Sequence, residues 1–200
     1  MASRALARPD SKQALVVGTV PQARRQIEAH AALMPRLSFR VWGRDKGKQA
    51  ALVADLSPNI DVEPAVDLEA AIRQADIVIT ATGSTTAFMK SEWVQPGTHI
   101  SAVGADAPGK QELDVNLIAR ADVLAVDIKS QCLDHGEVSR AAKSGLIQAE
   151  DVHEIGAILC GTGQGRLDAD QISIADLTGI AAQDIAMANE FLAAWKAQTK

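Results

Sequence analysis

Short aliphatic runs alternate with amphipathic stretches along the first 130 residues. The run 14–17 ends at Gly18, and in the stretch 22–33 that follows, Ala23, Ile27 and Ala31 recur every fourth residue. This pattern predicts a buried strand followed by a helix with one apolar face. The repeated alternation of predicted strands and helices predicts an α/β fold built on a doubly wound parallel sheet. The further predicted strands are residues 37–42, 61–64, 76–80, 99–103 and 123–126, and the further predicted helices are residues 46–56 and 68–74, the latter with Asp67 as its N-cap.

The pattern becomes helical after residue 127. We therefore take residues 123–126 as the last parallel strand and expect a C-terminal helical tail. The final helix carries Ile185, Ala188, Leu192 and Trp195 at spacings of three and four, which predicts an apolar face. The helices predicted in this part are residues 136–144, 152–159 and 180–196.

Composition narrows the class of protein. Hydrophobic residues make up 47% and charged residues 22%, which is typical of a globular domain, and the aromatic fraction of 3% leaves an aliphatic core suited to a buried parallel sheet. A net charge of −5 without a basic stripe argues against a nucleic-acid partner. No apolar run approaches the roughly 18 residues of a membrane span, and no secretory signal is recognised. We expect a cytoplasmic protein that does not bind membranes.

The cysteines and acidic residues give no metal-ligand pattern. Cys132 and Cys160 stand alone, and we interpret both as buried thiols. The segment Asp134-His135-Gly136-Glu137 is interpreted as helix capping rather than as a metal site. We predict no metal.

The segment from Gly18 to Ala23 lies between a predicted strand and a predicted helix. A Gly-x-Gly-x-x-Gly/Ala loop at this place points backbone N–H groups at a pyrophosphate. Val20 occupies the position of the middle glycine, and the alternative interpretation is a plain strand-to-helix turn. The more glycine-rich segment 161–165 follows a helix, and we interpret it as a helix stop and surface loop. The predicted cofactor-binding residues of the first loop are Gly18, Thr19, Val20, Gln22 and Ala23.

The end of the second predicted strand bears on the choice of cofactor. NAD-binding folds place an acid there for the ribose 2′-hydroxyl, whereas this strand continues into Trp42, Gly43 and Arg44. A guanidinium at this position pairs with a 2′-phosphate, which favours NADP slightly over NAD. An exposed Arg44 paired with Asp45 is the alternative.

Segments spread over nearly all 200 residues together resemble the ornithine cyclodeaminase/mu-crystallin family. The strongest is Val103-Gly104-Ala105-Asp106-Ala107-Pro108-Gly109-Lys110 with Glu112-Leu113. The others include residues 6–10, 22–24, 41–44, 75–78, 80–82, 92–94, 96–100, 136–137 and 154–156, then Gly161 and Arg166, and 176–179 with Asp184. The resemblance implies a Rossmann-like domain that binds NAD(P) and acts on amino acids or their imines. It implies that Asp106 is the catalytic acid/base, for which a turn-forming Asp before Pro108 is the alternative. It also implies that the cofactor is flanked by Thr80, Ala81, Thr82, Ser84, Val103 and Gly104.

Family chains are about half as long again, with a preceding domain that supplies the substrate-binding Lys and Arg. We therefore expect the cofactor-binding portion of an oxidoreductase, or a shortened homologue, that is inactive alone and forms a homo-oligomer. The rival hypothesis is a non-catalytic binding protein that retains only the fold. We divide the chain into residues 1–12, the remnant of an interdomain helix, residues 13–150, the dinucleotide-binding Rossmann-like domain, and residues 151–200, a C-terminal helical segment.

Overall fold

The computed structural model describes residues 1–198, which form a parallel eight-stranded sheet with helices on both faces. The strand order is β3-β2-β1-β4-β5-β8-β6-β7, and every neighbouring pair is parallel. The chain moves outward from β1 to β3 and then returns to place β4 on the other side of β1. The predicted doubly wound fold is therefore confirmed. The strands are β1 (Gln13–Val17), β2 (Ser38–Trp42), β3 (Val62–Pro64), β4 (Ile77–Thr80), β5 (His99–Ala102), β6 (Val123–Val126), β7 (Val152–Glu154) and β8 (Ser173–Asp176).

Short polar side chains begin several of the helices. Asp45 and Asp114 accept hydrogen bonds from first-turn N–H groups, as does the predicted cap Asp67, whose carboxylate lies 2.7 Å from the Ala70 nitrogen. The helices within residues 1–198 are α1 (Ala2–Leu6), α2 (Pro21–Leu33), α3 (Lys46–Leu56), α4 (Leu68–Gln74), α5 (Val115–Arg120), α6 (Lys129–His135), α7 (Glu137–Lys143), α8 (Ile155–Leu159) and α9 (Ala181–Gln198).

The sheet is buried on both faces because its strands contribute aliphatic side chains alternately to each. One face packs Ile72 of α4 and Leu117 of α5 against the sheet. The opposite face packs Ile27 of α2 and Leu56 of α3. The periodicity that predicted α2 is confirmed at Ala23 and Ile27, both fully buried. Two apolar layers thus hold the strand ends in place.

The expectation that the parallel set ends at residue 126 is wrong, because β7 and β8 follow it. β8 lies between β5 and β6 and pairs with both. Residues 152–154, predicted as the start of a helix, form β7, and only Ile155–Leu159 is helical. A four-residue strand with Ser and Asp at its ends gives too short an apolar run to be recognised. The division of the chain near residue 150 stays a prediction, although the sheet itself continues across it.

Two smaller interpretations are also corrected. Cys132 is buried as expected, but Cys160 is exposed, because it follows the end of the short helix α8. Helix α7 has no side-chain cap, and Glu137 is instead buried and bonded elsewhere. The interpretation of 161–165 as a helix stop is confirmed by Gly161, whose φ is +75°.

Helix α9 confirms the predicted C-terminal helix. Residues 181–197 are all exposed, including the apolar side chains of Ile185, Phe191 and Leu192. The helix therefore leaves the sheet after β8 and does not fold back onto it.

The central position of β8 predicts a large effect of shortening its buried side chain. Ile174 is 0% exposed, so Ile174→Ala should lower the free energy of unfolding by about 2–5 kcal/mol. Ile185 on α9 is 62% exposed, so the matched control Ile185→Ala should change the free energy of unfolding by about 0.5 kcal/mol or less. Urea unfolding followed by circular dichroism measures both, and equal effects would contradict this position of β8.

Candidate functional site

Two adjoining clefts open at the carboxyl edge of the sheet, where the chain order reverses between β1 and β4. The first, which we call the Asp106 cleft, has a volume of about 460 Å³, and the second, the Trp42 cleft, about 350 Å³. Both are bordered by Val20, Ala81, Thr82 and Gly83, so they form one continuous depression. The Asp106 cleft is also bordered by Gly104, Asp106, Lys110, Asp127, Thr178 and Gln183, and the Trp42 cleft by Gly18, Trp42, Gly43, Arg44, Lys48 and Ser84.

The loop from Gly18 to Val20 passes between the two clefts. Gly18 has φ +133°, and a Cβ there would lie 2.2 Å from the Ala81 carbonyl oxygen, so only glycine allows β1 and β4 to end this close together. Within residues 1–198, the backbone N–H groups of Thr19 and Val20 have no hydrogen-bond acceptor. They stand at the N-terminus of α2, where the helix dipole favours an anion. This loop can therefore bind a phosphate group.

Val20 is the N-cap of α2 and stands where the two clefts join. Its φ of −77° suits any residue, so the valine causes no backbone strain. Its side chain is 45% exposed and borders both clefts. The effect of replacing the expected glycine is therefore limited to the space that the side chain occupies.

The Trp42 cleft is bordered by two positive side chains, Arg44 just after β2 and Lys48 in the first turn of α3. Arg44 is exposed and makes no ion pair within the described residues, so its alternative pairing with Asp45 is not formed. The Asp45 carboxylate instead accepts from the Lys48 backbone N–H at 3.0 Å. The Lys46 ammonium lies 5.2 Å from the centre of the Trp42 ring, which holds that ring at the edge of the cleft. A ligand in this cleft would meet Trp42 together with Arg44 and Lys48.

The backbone beneath the Trp42 cleft is held by close contacts. A Cβ on Gly43 would lie 2.5 Å from the Thr19 methyl group, so this glycine lets β2 end directly against the loop. The buried amide nitrogen of Gln49 donates to the carbonyl oxygens of Val41 and Ala65 at 2.7 and 2.8 Å. These contacts fix the end of β2 relative to the loop after β1.

Asp106 and Lys110 face each other in the Asp106 cleft. The Lys110 ammonium donates to the Asp106 carboxylate, which is about half exposed. That carboxylate accepts no backbone N–H of the following turn within residues 1–198, which disfavours the alternative of a purely turn-forming Asp. On the far side, Asp127 accepts from Thr178 Oγ1 at 3.1 Å and from the Gly179 backbone N–H at 2.6 Å. The cleft thus combines a carboxylate and an ammonium with polar, firmly held walls.

Three further carboxylates, Glu112, Glu137 and Asp176, are buried behind the Asp106 cleft. Burial raises the pKa of Glu112, although hydrogen bonds from Thr80, Thr82 and Gly104 oppose the shift. Burial, assisted by the nearby charge of Asp176, raises the pKa of Glu137 to about 8. Burial likewise raises the pKa of Asp176 to about 7. The hydrogen bonds of Glu112 join the ends of β4 and β5, and those of Asp176 join β8 to α7.

Most of the predicted site residues meet at these clefts. Ala23 and Thr80 are exceptions, because both are buried in the core behind the walls. Lys110, Asp127 and Gln183 also border the Asp106 cleft but were not predicted from the sequence. Lys110 could have been recognised from its position four residues after Asp106. The predicted residues that border the clefts are Gly18, Thr19, Val20, Gln22, Trp42, Gly43, Arg44, Ala81, Thr82, Ser84, Val103, Gly104 and Asp106.

A parallel sheet that reverses its strand order beside a glycine turn after β1 has the topology of a Rossmann-like α/β fold. The family profile described as "Ornithine cyclodeaminase/mu-crystallin family" matches residues 1–198. The chain therefore belongs to the ornithine cyclodeaminase/mu-crystallin family.

Relatives and solved structures agree with this membership. The chain is 38% identical over 192 residues to an alanine dehydrogenase of Archaeoglobus fulgidus, covering 94% of this chain and 58% of that protein. It superposes with a TM-score of 0.89 and 31% identity on the iminosuccinate reductase of Paracoccus denitrificans in complex with NAD⁺, covering 99% of this chain and 61% of that one. An archaeal alanine dehydrogenase dimer with bound NAD superposes with a TM-score of 0.87 and 35% identity, covering 94% and 58%.

The chain spans about 58% of the length of the alanine dehydrogenase that it matches. The relatives that share its fold are dehydrogenases, reductases and cyclodeaminases, and solved structures among them hold NAD⁺, NAD or NADH. None of the helices within residues 1–198 is long and apolar enough to cross a membrane. No group of three or more His, Cys, Asp and Glu side chains in the same range is arranged to hold a metal ion.

Proposed function

We propose that this chain binds a nicotinamide dinucleotide across both clefts, as the cofactor-binding part of an oxidoreductase that acts on amino acids or cyclic imines. The observation that carries the proposal is the loop between the clefts, where the N–H groups of Thr19 and Val20 have no acceptor within residues 1–198. The NAD⁺ complex of the iminosuccinate reductase supports it, because that enzyme shares this fold over 99% of the chain.

The dinucleotide would lie with its two halves in different clefts. The adenosine half would occupy the Trp42 cleft, and the nicotinamide half the Asp106 cleft, with the pyrophosphate at Thr19 and Val20. The combined depression, about 460 and 350 Å³, is of the size that small-molecule sites have. Ligand binding at the point where the strand order reverses is the rule for open parallel sheets.

Arg44 and Lys48 favour the phosphorylated cofactor. Both border the Trp42 cleft, and Arg44 has no carboxylate partner within residues 1–198. A 2′-phosphate would receive charge-assisted hydrogen bonds from the guanidinium, whereas an unmodified ribose would not. We therefore assign a preference for NADP over NAD.

Asp106 is the group in the nicotinamide half that can move a proton. A bound nicotinamide ring would supply or take up hydride at the substrate carbon. Asp106 would give a proton to the substrate nitrogen or take it up, after its present partner Lys110 moves aside. The names of the related alanine dehydrogenase and iminosuccinate reductase support an amino acid or an imine as the substrate class.

The rival function is that of a non-catalytic binding or interaction protein that retains only the fold. Three observations favour it. Val20 stands where the phosphate loop is expected to have its middle glycine, and the ammonium of Lys110 is already paired with Asp106. Lys110 is also the sole cation among the described residues that border the Asp106 cleft, so a substrate carboxylate would find no second positive group. Binding without turnover would favour this rival.

The proposed role of Arg44 predicts a difference between the two cofactors. Arg44→Ala should weaken NADPH binding about 10- to 150-fold, because a hydrogen bond to a charged group is worth about 1.5–3 kcal/mol, and should leave NADH nearly unaffected. Nicotinamide fluorescence titration measures both dissociation constants. Arg36→Ala, outside both clefts, is the matched control. Equal losses for NADPH and NADH would contradict the 2′-phosphate role.

Val20 predicts a gain of affinity. Val20→Gly should tighten binding of both dinucleotides, because the backbone could then approach the pyrophosphate without the side chain between the clefts. Glycine would also lower stability by up to about 1 kcal/mol through its unfolded-state entropy. Val66→Gly, at a side chain that is 89% exposed, is the control. An unchanged dissociation constant would mean that the phosphates do not lie at this loop.

We expect the 200-residue chain to show no turnover of ornithine, alanine or cyclic imines, and to self-associate through α9. A substrate that is not held in its reactive orientation loses about 7–11 kcal/mol of the possible reduction of the activation barrier. The exposed side chains of Ile185, Phe191 and Leu192 offer an apolar surface to a second copy of the chain. An NAD(P)H-coupled assay and sedimentation test the two parts. Leu192→Glu should shift an oligomer toward monomer. Robust turnover would refute the first part, and a monomeric wild-type chain the second.

A further inference from the structure

The buried carboxylate of Glu112 accepts four hydrogen bonds, although its side chain is not among the described residues that border either cleft. It is 0% exposed. One carboxylate oxygen accepts from the Thr82 backbone N–H at 2.7 Å and from Thr82 Oγ1 at 2.6 Å. The other accepts from Thr80 Oγ1 at 2.6 Å and from the Gly104 backbone N–H at 3.1 Å. One side chain therefore joins the end of β4 to the end of β5.

The strand ends that Glu112 joins form a wall of the Asp106 cleft. Thr82 and Gly104 both border that cleft, and Gly104 stands two residues before Asp106. A Cβ on Gly104 would lie 2.4 Å from the Glu112 carboxylate, so only a glycine at this position leaves room for the carboxylate. The Glu112 carboxylate thus links β4 and β5 at the cleft, in addition to the backbone hydrogen bond from the Val103 N–H to the Thr80 carbonyl oxygen.

We propose that Glu112 is a positioning residue for the nicotinamide half of the site, acting through the backbone of Thr82 and Gly104. The inference rests on the proposed function only for the identity of the ligand. It adds a residue that touches neither cofactor nor substrate and yet determines the shape of the cleft that receives the reacting half.

A second layer holds Glu112 in turn. The Glu137 carboxylate accepts from the backbone N–H groups of Glu112 and Leu113 at 2.7 and 3.1 Å. One turn further along α7, the Arg140 guanidinium donates to the Gly109 carbonyl oxygen at 3.2 Å. Helix α7 therefore grips the chain on both sides of Lys110, the partner of Asp106.

Helix α7 is itself tied to the sheet through Asp176 at the end of β8. The Asp176 carboxylate accepts from the Val138 backbone N–H at 3.0 Å. A Cβ on Gly136 would lie 2.4 Å from Asp176 Oδ2, so a second glycine admits a second buried carboxylate. The support of the Asp106 loop thus runs from β8 through α7 to Glu112.

An amide cannot replace the carboxylate of Glu112. All the backbone partners are donors, and a carboxylate offers acceptors on both of its oxygens. In Glu112→Gln one oxygen becomes an NH₂ group. Whichever way the amide is turned, that group faces the N–H of either Thr82 or Gly104, which is left buried without an acceptor. The substitution changes shape very little and removes the specific interaction.

The experiment compares Glu112→Gln with wild type using the two halves of the cofactor separately. The probes are reduced nicotinamide mononucleotide, adenosine 2′,5′-bisphosphate and NADPH, with dissociation constants from calorimetry. We expect the variant to bind the mononucleotide and NADPH about tenfold more weakly, a loss of about 1.4 kcal/mol, because the cleft wall formed by Thr82 and Gly104 would no longer be held in place. Binding of the bisphosphate, which would occupy the Trp42 cleft, should change much less.

Two controls separate positioning from general loss of stability. Glu69→Gln makes the same chemical change at an exposed carboxylate of α4, and should change none of the affinities. Ile174→Ala destabilises the sheet without touching the carboxylates, and should not distinguish the mononucleotide from the bisphosphate. Equal losses for the two halves in Glu112→Gln, or no loss for either in a folded variant, would overturn the proposal.

Residue-resolved amide hydrogen exchange decides the matter independently of any ligand. In Glu112→Gln, exchange should accelerate at Thr82 or Gly104, while the Lys48 amide, bonded to Asp45, stays unchanged. If the wild-type chain binds no dinucleotide, the proposed function fails and the exchange result alone tests Glu112. Unchanged exchange at both amides would overturn the positioning role even if the cofactor binds.

Discussion

Buried carboxylates that accept backbone N–H groups hold the carboxyl edge of this sheet together. Glu112 joins β4 to β5, Glu137 holds the segment after β5, and Asp176 joins β8 to α7. Removing these charges from water is costly, which is why burial raises the pKa of Glu137 to about 8 and that of Asp176 to about 7. Charge-assisted hydrogen bonds offset part of that cost. Together these hydrogen bonds link β4, β5, β8 and α7 at this edge of the sheet.

The glycines at this edge follow from the same constraint. Gly18 lies against the Ala81 carbonyl, Gly104 against Glu112, and Gly136 against Asp176, each with a contact that would put an added Cβ within 2.4 Å. Two of these three glycines therefore make room for a carboxylate rather than for a ligand. This arrangement lets the strands end close together while leaving the N–H groups of Thr19 and Val20 free for a phosphate.

The sequence predicted the elements whose signal is local. The four-residue spacing of Ala23, Ile27 and Ala31 identified α2, and Asp67 was recognised as a cap because its hydrogen bond reaches only three residues along the chain. β8 could not be predicted, because four residues with polar ends are buried only through pairing with β5 and β6. The structural roles of Glu112 and Glu137 could not be predicted for the same reason. Their partners lie 8 to 32 residues away, and nothing in the local pattern distinguishes them from surface acids.

Amide chemical-shift mapping tests most directly whether one dinucleotide spans both clefts. When NADPH is added to the ¹⁵N-labelled chain, we expect saturable changes in amide chemical shift along the edge of the sheet where the ligand would lie. They should begin at Arg44, pass through Thr19 and Val20, and end at Gly104 and Asp106. Chemical-shift changes confined to one cleft, or concentrated at residues away from Thr19 and Val20, would contradict binding of one dinucleotide across both clefts.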